Sequence, residues 1–171
     1  MKDVFVQLSL YNCWANRQLL DYIAAIREEL PQPQGTGSGS LLSILLHMWD
    51  AESVWWQRMK LFERIDRPGS GFDGHLEQLS GLLQAQNRQW AEWVSVSGEH
   101  VFAHVFQYWN SNREQIKQPI FEMLLHLFNH GTYHRGQLVL ILKQMGCKKV
   151  PKTDFILWSR AERKKRSARS R

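Results

Sequence analysis

The sequence predicts an all-α fold, a four-helix bundle with a short hairpin between the third and fourth helices. Three observations predict it. Apolar residues recur every three to four positions over four long stretches, proline and glycine clusters punctuate them, and one late segment carries a β pattern. With 171 residues, 43% of them hydrophobic, the chain fits one domain with a substantial core rather than two.

The first helix is predicted from Asp3 to Leu30, with Phe5, Leu8, Tyr11, Ala15, Leu19, Tyr22, Ile23 and Ile26 on one side. Pro31 stops it, because proline lacks the N–H and disfavours helix before it. The stretch from Pro31 to Gly39 is a loop by composition. Ser40 is a natural N-cap for a second helix running to about Arg64, with Ile44, His47, Met48, Ala51, Val54 and Trp55 along its inner stripe. After the glycine-rich break that follows Arg67, a third helix spans His75 to Val96 with Leu79, Leu82, Leu83, Gln86, Trp90 and Trp93 inward. The β-branched and aromatic run in Val101–Lys117, split by the turn signal Asn110-Ser-Asn112, reads as the hairpin. Pro119 suits the first position of the last helix, Ile120 to Met145, which Gly146 ends as a left-handed cap. Asp154–Trp158 is a further short helical stretch.

Charge is unevenly placed. Of 22 basic and 16 acidic residues, seven and one lie in Arg160–Arg171, so the remaining 15 and 15 balance. The expected organisation is a helical domain over residues 1–159 and a basic, disordered tail over 160–171. A neutral body argues against a broad phosphate-binding face, leaving at most weak nucleic-acid association through the tail. Two cysteines, Cys13 and Cys147, are a poor disulfide framework for this length. No stretch approaches the roughly 20 apolar residues of a membrane span. The N-terminus lacks the layout of a secretory signal. A cytoplasmic protein without a membrane partner is expected.

Histidine carries the chemistry. His130 and His134 stand four apart in the last helix, on one face, where neighbouring Cβ atoms are about 5–6 Å apart and one metal ion can bridge both rings. His47, on the inner stripe of the second helix, is the best third ligand. The spacer Gly-Thr-Tyr lacks the glutamate of a His-Glu-x-x-His protease motif. His126, one turn before His130, is expected beside the ligands or in the core. His75, His100 and His104 lie at helix starts or in the hairpin and read as ordinary residues rather than ligands.

Three stretches make the sequence similar to the DinB family of helical metalloproteins. They are Tyr11-Asn-Cys-Trp-Ala-Asn-Arg17, Ser43-Ile-Leu-Leu-His47 with Glu52 and Trp55, and Asn129-His-Gly-Thr-Tyr-His-Arg-Gly-Gln137. The resemblance covers residues 3–158. It implies a four-helix bundle, a divalent ion such as nickel or zinc on His47, His130 and His134, and frequent dimers. It also implies enzymes that use low-molecular-weight thiols, alongside members without known activity. The basic tail is not part of that pattern.

Three neutral imidazoles leave a coordination position open, as catalytic sites do, and leave the ion's charge uncompensated. That field favours an anionic partner, hydroxide or a thiolate. The expectation is a metal-dependent thiol S-transferase or related hydrolase. The alternative is a non-catalytic metal- or ligand-binding stress-response protein. Beside the last ligand, Arg135 reads either as a clamp for a substrate carboxylate or as a solvent-facing residue, and Gln137 as a group orienting the site.

Overall fold

The computed structural model describes residues 1–26 and 40–169. In chain order it contains α1 (Lys2–Ala25), α2 (Leu41–Met59), α3 (Leu76–Val96), a short 3-10 helix (Glu99–Ala103), β1 (Val105–Trp109), β2 (Gln115–Pro119), α4 (Ile120–Gln144) and α5 (Phe155–Arg169). The fold is mostly helical, with five α-helices and one two-stranded antiparallel sheet among the described residues. Helices α1 and α2 each pack against both α3 and α4. No helix of the described residues is long and apolar enough to cross a membrane.

Local chemistry explains most boundaries. The Ser40 side chain accepts from the Ser43 N–H at 3.1 Å, as the cap reading requires. At the other end α2 stops five residues short of Arg64. Leu61 turns left-handed (φ 55°), and the Leu61 and Phe62 amides return to the Arg58 and Gln57 carbonyls. The Gln57 side chain then clamps the returning chain, donating to the Asp66 carbonyl and accepting the Asp66 N–H, both at 2.8 Å. Helix α4 ends in the same hydrogen-bond pattern with Gly146 at φ 90°. Helix α1 is described only to its cap at Ile26, and the predicted loop before Ser40 lies outside the described residues.

The hairpin is shorter than its sequence pattern. Val101 and Phe102 belong to the 3-10 helix, because Phe102 turns inward to stack on Phe5 at 5.5 Å. Tyr108 then faces Ile116 across the ladder, and the Asn110 side chain closes the turn by accepting from the Asn112 and Glu114 amides. Pro119 ends β2 and precedes α4 by one position.

A second correction concerns the basic segment. It is helical to Arg169, not irregular, although its residues from Arg160 to Ala168 are mostly exposed. Lysine, arginine, alanine and glutamate are good helix formers. Lys165 pairs with Glu162 at 2.7 Å, and Trp158 anchors the first turn against Tyr11. The last two residues lie outside the described ones.

Among the described residues two large apolar clusters fill most of the interior, with a smaller one of Tyr11, Ala15 and Trp158 beside them. One large cluster gathers Phe5, Trp90, Phe102, Met123 and Leu127; the other gathers Leu19, Leu45, Met48, Leu83 and Leu138. Along each of the four long helices a buried polar residue intervenes between them: Asn12 and Asn16, Glu52, Asn87, and Arg135. The inner face of α3 accordingly carries Asn87, with Gln86 only half-buried.

Candidate metal centre

The antiparallel course of α2 and α4 brings His47 opposite His130 and His134. Ring centres lie 5.1 Å apart for His47–His130, 4.6 Å for His47–His134 and 4.3 Å for His130–His134. One nitrogen from each ring lies within 4.8 Å of the others, close enough for the three to hold one metal ion. His134 is buried, His130 is half-buried and His47 is exposed. The inner-stripe reading of His47 is therefore corrected: it stands at the rim of α2, where a small rotation about the helix moves a side chain from core to surface. Its neighbours form an open cleft of about 490 Å³ lined by Ser43, His47, His134, Gln137, Leu140 and Ile141 among others.

The residues fit a cation. Among the described residues His130 Nε2 is buried without a hydrogen-bond partner, an arrangement that costs free energy unless something fills it. His134 Nδ1 lies 2.7 Å from Gln137 Oε1. With that oxygen accepting, Nδ1 carries the proton and Nε2 keeps the lone pair a metal needs. Burial pushes the His130 imidazole down to about 4, with His134, His47 and His126 adding to the effect. Burial also lowers His134, against the pull of its Gln137 bond. Both rings are thus neutral at pH 7, the form that ligates metal.

His126 stays outside the trio. Exposed rather than in the core, it stacks on His130 at 5.5 Å and meets Trp55 edge-on at 5.5 Å. His75, at the start of α3, and His100 and His104, around the 3-10 helix, are not among the three. Tyr133 stands edge-on to His134 at 5.0 Å. Cys13 and Cys147 are free and half-buried.

Arg135 takes neither predicted place. It is 2% exposed and turned into the polar layer. Its Nη1 donates to Asn12 Oδ1 at 2.6 Å and to Asn16 Oδ1 at 2.9 Å, and Nη2 donates to Thr132 at 2.7 Å. Asn12 and Asn87 donate in turn to the two oxygens of Glu52, at 3.0 and 2.6 Å, and Asn16 donates to Asn87 at 2.9 Å. Gly131 makes room for this: a Cβ there would lie 3.0 Å from Asn12 Oδ1 and 3.2 Å from Arg135 Nη1. The layer therefore ties α1, α2 and α3 to the turn of α4 that carries His130 and His134. Sequence reasoning missed it, although the signal existed: Arg135 follows Gly131 by four and precedes Leu138 by three, on the buried stripe.

A family model described as the DinB family matches residues 1–166. Protein DinB of Bacillus subtilis (strain 168) is 24% identical over 168 residues, covering 92% of this chain and 95% of that relative. The crystal structure of a DinB-like protein from Bacillus cereus ATCC 10987 superposes with a TM-score of 0.66 at 20% identity, over 86% of this chain and 94% of that one. At that identity the structural likeness establishes the fold.

Proposed function

This chain belongs to the DinB family, and from that premise we propose that it binds one divalent ion, nickel or zinc, through His47, His130 and His134 and acts as a metal-dependent thiol S-transferase. The observation that carries the reading is the convergence of three imidazoles from two helices on one point beside an open cleft. An ion held by three neutral ligands supplies Lewis acidity and a positive field that favours the thiolate form of an approaching thiol.

The chain's own residues do the rest. Gln137 fixes the His134 tautomer and ring orientation. The polar layer around Arg135 holds the helix register that sets His130 and His134 toward α2. Leu140 and Ile141 give the cleft an apolar wall against which a substrate can shed water. We read α1 to α4 as a four-helix-bundle frame, to which the hairpin and α5 are additions. A homodimer belongs to the same proposal, supported by Leu125, Tyr133 and Leu140, which lie exposed along one side of α4. Light scattering that finds only monomer at working concentration removes it.

Metal analysis by mass spectrometry tests the site. About one ion per chain is expected, with large loss in His47→Ala, His130→Ala and His134→Ala and retention in His126→Ala. Full occupancy in His47→Ala would refute a site shared between two helices. In the cobalt form, small thiols should raise a sulfur-to-metal band in the near ultraviolet and release protons, with Cys13 and Cys147 both changed to Ser as control. If every thiol fails with cobalt bound, the protein is a hydrolase or a non-catalytic binder.

A further inference from the structure

Eleven residues after His47 on α2 stands Arg58, a cation stacked on two aromatic rings. Its guanidinium carbon lies 4.9 Å from the Trp55 ring centre and 5.2 Å from that of Tyr108. Among the described residues it pairs with no carboxylate, and its buried Nε has no hydrogen-bond partner. The Tyr108 hydroxyl is committed to Gln118 at 3.1 Å. Burial presses against the protonated form of Arg58, as does the nearby charge of Arg67, while Tyr108 works the other way. Arginine nevertheless keeps its charge in proteins. Stacking on two rings explains where the guanidinium plane lies, and the terminal Nη atoms, neither buried nor hydrogen-bonded among the described residues, leave one edge of the fork open to an acceptor.

Helix geometry places this cation relative to the histidines. Eleven residues of α-helix return a side chain to within about 20° of its starting direction and advance it roughly 16 Å. Arg58 and His47 therefore share one face of α2, with Ala51 and Val54 between them. From α4, His126 bridges the gap, stacked on His130 and edge-on to Trp55. A line of flat rings thus runs along the α2–α4 seam from the three histidines to the guanidinium.

We propose that Arg58 binds the carboxylate of an elongated small molecule whose other end reaches the three-histidine site, its middle lying over Trp55 and His126. A planar monoanion with two oxygens matches a single guanidinium fork. The far end of the molecule rests on the metal reading above; the carboxylate site does not.

Two titrations test this. In the metal-free protein, octanoate and octanamide are titrated while the Arg58 side-chain N–H resonance, identified by its loss in Arg58→Gln, is followed by NMR. Octanoate alone should shift it, and should bind Arg58→Gln roughly tenfold more weakly. Arg58→Lys, which keeps charge without the fork, should melt like the parent and bind at an intermediate level. In the cobalt form, mercaptopropionate and mercaptoundecanoate are compared with their methyl esters through the sulfur-to-cobalt band. The long acid should bind about tenfold tighter than its ester, the short acid no tighter than its own, and the advantage should vanish in Arg58→Gln. An unmoved Arg58 resonance, with long acid and ester alike, overturns the Arg58 site and leaves the metal reading intact. A shifted resonance with no cobalt band for any thiol keeps the carboxylate site and overturns the claim that one thiol-bearing molecule spans both.

Discussion

Glu52 accepts from two asparagine amides in surroundings that exclude water, and its cationic neighbour Arg135 is joined to it through Asn12. Burial pushes its carboxyl up to about 7, against the downward pull of Asn87, Asn12 and Arg135. An acid whose folded pKa is raised holds its proton more tightly when folded. Its contribution to stability is therefore largest below about 4.5 and falls as pH rises to about 7, by on the order of 1 kcal/mol per pH unit. His130, pushed down to about 4, acts in the opposite sense, because a depressed base gains stability as pH rises toward its unfolded value. Subtracting Glu52→Gln from the parent isolates the carboxyl. Calorimetric melts between pH 4.5 and 7 should show the parent losing stability relative to the variant as pH rises. Parallel curves would mean that Glu52 is ionised throughout.

Two glycines of α4 pose the same question with opposite answers. Each replaced by alanine gains up to about 1 kcal/mol of helix propensity. At Gly136 a Cβ meets nothing within 4 Å, so Gly136→Ala should raise the melting temperature by about 2–4 °C. At Gly131 the Cβ presses on Asn12 and Arg135, whose atoms are already hydrogen-bonded to each other. Gly131→Ala should lower the melting temperature and metal occupancy together; a stabilised Gly131→Ala would show that the layer yields freely. Elements of this kind were the legible part of the sequence, because caps, proline stops and apolar periodicity act within a few residues. Ser40, Gly146 and the pair His130/His134 all worked that way. The contents of the buried stripes were less legible, since a charged or amide side chain on an apolar face is read as an exception until its partners on other helices are known. Asn12, Asn16, Glu52, Asn87 and Arg135 explain one another only as a set.

At the scale of the molecule, charge alone made the C-terminal segment look detached, while one aromatic residue attaches its start. Trp158 is 6% exposed and its ring centre lies 6.0 Å from that of Tyr11. Tyr11 donates its hydroxyl to the Thr153 carbonyl at 2.7 Å and lends its ring face to Arg135, whose guanidinium carbon is 5.2 Å away. The first turn of α5 thus backs the residue that backs the polar layer, while the basic half projects into solvent, where its charges contribute little to folding. Removing everything after Ser159 should change the melting temperature by no more than about 2 °C and leave metal content unaltered. Trp158→Ala should cost about 3–5 kcal/mol, the range for a buried tryptophan, and lower the melting temperature by roughly 6–20 °C. It should also weaken metal retention, because a looser Tyr11 frees Arg135 and with it the register of His134. If truncation proves as damaging as Trp158→Ala, the basic half of α5 packs on the body of the protein in solution; if Trp158→Ala melts early yet holds its metal fully, the polar layer does not transmit strain to the histidines.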